Sequence, residues 1–161
     1  MRRYTIFQNV LEKLTILLLL ATLVWIIVCY GDLPERIPTH FDLHGNADGY
    51  GKKTTIWFIY AMGMLFTLLM LLLSRFMPMT RNTINIPWTV TERAWPYIVT
   101  LTINLLLWTA LQCAAMFMIP VIWLVYGNGS GISIWILCGT VLATCVYYIV
   151  KMRKVCLYNN Y

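Results

Sequence analysis

Four long stretches almost free of charge divide this chain of 161 residues, and they limit its fold more than any motif does. The first, residues 14–30 (LTILLLLATLVWIIVCY), holds no charged residue and is preceded by Glu12 and Lys13. The second, 55–77, is interrupted only by Arg75 near its end. The third starts at Tyr97 and stays apolar toward Tyr126, but Pro120 is expected to kink or end its helix, so the span is set at 97–120. The fourth, 131–150, is closed by KMRK. A run of about 20 apolar residues crosses a hydrocarbon layer of about 30 Å. In lipid every backbone amide needs an internal partner, so each run must be helical. A buried soluble core is excluded by composition. Hydrophobic residues make up 60% of the chain and charged ones 11%, against about a quarter charged in soluble domains, so no polar shell exists to cover four such helices. The expected fold is an all-α integral membrane protein, a single membrane domain over 1–161. It forms a four-helix antiparallel bundle, with short connections and an ordered loop at 31–54.

Lys and Arg then orient the chain. Arg2, Arg3, Lys13, Arg75, Arg81, Arg93, Lys151, Arg153 and Lys154 fall on one side, and Arg36, Lys52 and Lys53 on the other. Nine against three places both termini, and the 78–96 connection, in the cytoplasm of a cell with an inner membrane. Loop 31–54 and the GNGSG turn then face outward. Aromatic residues agree, with Trp25, Tyr30, Trp57, Tyr60, Trp123, Tyr126 and Trp135 at the outer boundary and Trp88, Trp95, Tyr97, Tyr147 and Tyr148 at the inner one. The formal charge of +6 is no nucleic-acid footprint, because basic residues do not interleave with aromatics along one soluble face. The first span reads as uncleaved, since no small-residue cleavage site follows it and Val28 is too large for the position before Cys29. The five cysteines lack C-x-x-C spacing and read as small packing residues.

Within the spans there is no Asp, Glu or His, which argues against an ion-coupled transporter. Asn104, Trp108 and Gln112 share one broad helical face. They suit a polar strip along a cavity or, preferably, interhelical hydrogen bonds. Gly63 with Thr67, and Gly139 with Ala143, suit close helix packing within the bundle or between copies, so a homo-oligomer stays open.

The ionisable chemistry concentrates in LPERIPTHFDLHGNADGYGKK, residues 33–53. Gly31 and Pro34 end the first helix, and Pro38 keeps Ile37 extended. Gly45-Asn46, Asp48-Gly49 and Gly51 are turn signals. An ordered irregular segment is expected, because Leu33, Ile37, Phe41, Leu43 and Tyr50 are too apolar for disorder and can pack on the mouth of the bundle. His40, Asp42 and His44 alternate, and alternate side chains of an extended chain share a face. Two imidazoles and a carboxylate could hold zinc with an open position, with Asp32, Glu35 or Asp48 as extra ligand or general base. The plainer reading, in which His40 braces the loop and His44 is solvated, is preferred, because alternation arises easily by chance. On that reading no cofactor is required. Lys52 and Lys53 anchor at the headgroups, and Lys53 can pair with Asp42 or Asp48.

The same segment resembles the signature of a bacterial membrane protein family of unknown function, related to the N-terminal part of SdpI-type immunity proteins. The matching residues are Leu33, Pro34, Ile37, Pro38, His40, Phe41, Asp42, Gly45, Asp48, Gly49, Tyr50, Gly51 and Lys53. His44 departs from that pattern, and the chain has fewer spans than SdpI-type proteins. The resemblance implies a frame of Pro34, Pro38, Gly45, Gly49 and Gly51 presenting His40, Phe41, Asp42, Asp48, Tyr50 and Lys53 to a ligand. Two functions follow as expectations. The first is a non-enzymatic receptor or immunity-type protein whose outer loop binds a peptide or envelope component. The second is a membrane-embedded metal-dependent enzyme using His40 and Asp42.

Overall fold

The computed structural model describes residues 4–42, 44–76, 86–127 and 129–158. Leu43, Arg2, Arg3 and Arg81, used above, lie outside the described residues. Four helices and one hairpin follow in chain order: α1 (Ile6–Tyr30), β1 (Arg36–Phe41), β2 (Ala47–Lys52), α2 (Thr55–Phe76), α3 (Trp95–Tyr126) and α4 (Gly131–Tyr158). All four helices are long and apolar enough to cross a membrane. The chain is an all-α multi-pass membrane protein built as a four-helix bundle.

Helix ends differ from the apolar runs for local reasons. α1 begins eight residues before the apolar run because Thr5 and Gln8 form a reciprocal capping box. The Gln8 amide N–H donates to Thr5 Oγ1 at 3.2 Å, and the Thr5 N–H donates to Gln8 Oε1 at 3.0 Å. α3 passes straight through Pro120 and ends six residues later at Tyr126, capped by Gly127, which takes φ 73° and donates its N–H to Trp123 O at 2.8 Å. Proline is tolerated inside a membrane helix because neighbouring groups can satisfy the carbonyl it leaves unpaired. α4 runs on through KMRK to Tyr158, since Met152 and Cys156 keep one buried face while the cations project outward.

α3 is the centre of the bundle. It contributes to each of the three buried clusters. With α1 and α2 it encloses Leu11, Leu71, Val99, Ile103, Leu107 and Ala110. With α4 it buries Ile98, Leu101, Tyr148, Met152 and Cys156. At the end where the hairpin sits, Val121 and Leu124 pack with Ile26, Ile37, Ile56 and Tyr60. α2 packs tightly on α3 at Gly63, where an added Cβ would lie 2.4 Å from Phe117 Cβ. Gly139 has open space around it instead, so of the two small-residue pairs only the one in α2 serves packing inside the bundle. Polar residues of α3 tie helices together: Gln8 Nε2 donates to Asn104 Oδ1 at 2.8 Å, and Gln112 Nε2 donates to Thr144 Oγ1 at 3.0 Å. This is the interhelical hydrogen-bonding role preferred above.

Candidate functional site

Within the 31–54 segment the described residues form a β-hairpin rather than an irregular loop. β1 and β2 pair antiparallel, with Arg36 opposite Lys52, Ile37 opposite Gly51, Pro38 opposite Tyr50 and His40 opposite Gly49. Asp48-Gly49 and Gly51 are therefore strand positions, not turns. Gly49 is there for close approach, since a Cβ on it would come 2.9 Å from His40 Cβ.

The turn itself is built by Asp42. Its Oδ1 accepts the backbone N–H of His44 and of Asn46, each at 2.8 Å, and its Oδ2 accepts Asn46 Nδ2 at 3.2 Å. The backbone closes the same turn, with Asp42 N donating to Asn46 O at 2.9 Å and Gly45 N to Asp42 O at 3.0 Å. The backbone hydrogen bond from Asn46 is the main cause holding the Asp42 carboxyl below its ordinary pKa. Asp42 is a turn brace, and its oxygens are committed to the hairpin's own amides.

Gly45, at φ 90°, docks the hairpin tip. Its carbonyl accepts the Gly129 N–H at 3.0 Å, on the connection between α3 and α4. A Cβ at Gly45 would fall 2.0 Å from Gly129 O. Beside this contact Phe41 meets Trp123 edge-on, with ring centroids 5.8 Å apart. Ile37 points into the bundle and is 1% exposed. Phe41 is thus an anchor. Gly129, in the connection after α3 that the sequence places on the outer side, is thus part of the hairpin's socket.

The opposite side of the hairpin carries the exposed chemistry. His40 Nδ1 lies 2.5 Å from Asp48 Oδ1, with side chains 72% and 47% exposed. Tyr50 is 57% exposed. Lys53 does not pair with Asp42 or Asp48. It bonds Glu35 Oε1 at 3.0 Å and lies over the Tyr30 ring at 5.2 Å, because the hairpin carries Asp42 and Asp48 to its far end while Glu35 sits beside the start of α2. Pro34 is exposed just before β1.

The zinc arrangement is not assembled. β1 ends at Phe41, so Asp42 and His44 lie in the turn instead of alternating along a strand with His40. His40 is taken by Asp48, and His44 Nδ1 approaches Asp42 Oδ2 only to 3.8 Å. Among the described residues no group of three or more His, Cys, Asp or Glu side chains is placed to hold a metal ion.

Comparison with known proteins adds one match. A family model described as "Domain of unknown function (DUF1648)" matches residues 17–64. That segment runs from within α1, through the hairpin, to the middle of α2. No curated protein and no solved structure matches the chain.

Proposed function

We infer that this chain is a non-enzymatic bacterial membrane protein of the receptor or immunity type, whose hairpin faces outward from the inner membrane and binds a peptide or an envelope component. The observation that carries the reading is the division of labour within the hairpin. Ile37, Phe41, Asp42 and Gly45 hold it in place, while His40, Asp48 and Tyr50 stand exposed on a fixed backbone. A preorganised polar and aromatic surface loses little entropy on binding and suits a peptide. The sidedness is supported by Lys13, Arg75, Arg93, Lys151, Arg153 and Lys154 at the end away from the hairpin. The resemblance of the hairpin segment to the N-terminal part of SdpI-type immunity proteins supports the same reading. A metal-dependent enzyme is the weaker alternative, because Asp42 is tied to the turn and His40 to Asp48.

The test is a deletion strain exposed to a panel of envelope-active peptides. Sensitivity should rise, the intact gene should restore resistance, and a Tyr50→Ala or His40→Ala copy should not. Unchanged sensitivity across the panel overturns the reading. A reporter active only outside the cytoplasm, fused after Tyr161, should stay silent; activity there refutes the orientation.

A further inference from the structure

The base of the hairpin, distinct from its exposed tip, holds a second feature. Arg36 and Lys52 are directly opposed across the two strands, so both side chains stand on one face, and both are exposed. Like charges directly opposite destabilise a strand pair. The Arg36 side chain gives one hydrogen bond, to Tyr50 O at 3.3 Å, and the Lys52 side chain makes no hydrogen bond or ion pair among the described residues. The two cations line an open cleft of about 540 Å³ together with Glu35, Gly51, Lys53 and Thr54. Lys53 is held in the wall by Glu35. Thr54 immediately precedes α2, whose first turn carries no acidic residue of its own, and the one carboxylate nearby, Glu35, is already paired with Lys53. Three cations face one carboxylate here, at the point where a membrane span begins.

We propose that this cleft binds a phosphate oxyanion between Arg36 and Lys52, supplied by the headgroup of an anionic phospholipid. The oxyanion relieves the repulsion between the two opposed cations. Arg36 offers a planar fork of donors and Lys52 a mobile point charge, a combination suited to phosphate. The lipid is the source the position favours, because the cleft opens where the first residues of α2 meet the headgroup layer, whichever side of the membrane the hairpin faces. The inference does not depend on the receptor reading, since it uses neither His40, Asp48 nor Tyr50.

The test uses the full-length chain in detergent and native mass spectrometry, with phosphatidylglycerol and phosphatidylcholine added separately. Wild type should retain phosphatidylglycerol over phosphatidylcholine. The double change Arg36→Gln, Lys52→Gln should cut that retention about tenfold or more, while the charge-conserving pair Arg36→Lys, Lys52→Arg should keep it. If the double variant does not fold, Lys52→Gln alone, which has no partner to lose, should reduce retention about threefold to tenfold. A second arm adds inorganic phosphate: failure to compete assigns the site to lipid, and displacement of phosphatidylglycerol assigns it to the free ion. Equal phosphatidylglycerol retention by wild type and the neutralised variants overturns the site.

Discussion

The two ends of the bundle use their polar residues in opposite ways. At the hairpin end, cohesion comes from Ile37 in the core, Phe41 against Trp123, and the backbone bond from Gly129 to Gly45. At the other end it comes from side chains. Arg75 makes a two-pronged ion pair with Glu12, its closest contact 2.5 Å, and lies 4.1 Å over the Tyr4 ring. The Tyr4 hydroxyl meets Ser74 Oγ at 2.5 Å, and Gln8 reaches Asn104. Polar side chains therefore bind the helices to one another at one end, whereas at the other they pair locally within the hairpin segment or face outward. Number and kind of ionisable groups do not separate these cases; only their partners do.

Five experiments would break or sharpen that contrast. Ile37→Ala should have the largest effect, destabilising the protein by about 2–5 kcal/mol in a detergent melt, with the hairpin amides losing hydrogen-exchange protection first. Gly45→Ala should follow at about 1–2 kcal/mol, since it forces a side chain into a left-handed backbone and against Gly129. An unchanged melt would show that the tip is not docked. Glu12→Gln should cost less, about 1 kcal/mol, because Arg75 is half exposed and water screens the pair. If it outweighs Ile37→Ala, the polar end dominates stability after all.

The fourth is a titration. The Asp42 carboxyl is held below its ordinary pKa by folding, so its stabilisation is complete above the unfolded value and disappears as pH falls through the folded one. Amide shifts of His44 and Asn46 should therefore move only in acid, below the usual carboxylate range, and Asp42→Asn should abolish the movement. The smallest effect on stability belongs to His40→Ala, under about 0.5 kcal/mol, because the pair with Asp48 is exposed. The same change should nevertheless remove the function proposed for the hairpin.

The spans were legible in the sequence because lipid leaves an apolar run few alternatives to a helix. Their ends were less so. The start of α1 depends on one capping box, and the end of α3 on Gly127 rather than on the more conspicuous Pro120. The hairpin was hidden because Gly49 and Gly51 have the composition of turns, whereas their use depends on the partners His40 and Ile37 in the preceding strand. At the candidate site, His40 and Asp48 were both identifiable, but not that they pair. Alternation suggested Asp42 and His44 as partners for His40, and a strand ending at Phe41 removed that geometry. The partner of Lys53, Glu35, was among the residues considered, yet only the register of the hairpin brings the two together.

The docking of Gly45 on Gly129 also bears on autonomy. The segment from α1 through the hairpin into α2 looks like a portable unit, and the family match ends within it. Its fit is nevertheless borrowed. Trp123, Val121, Leu124 and Gly129 all come from beyond residue 100, so a fragment ending with α2 would retain the hairpin's sequence but lose the surface that sets its pose. Transplanting the hairpin to another membrane scaffold would require transplanting that distant surface with it.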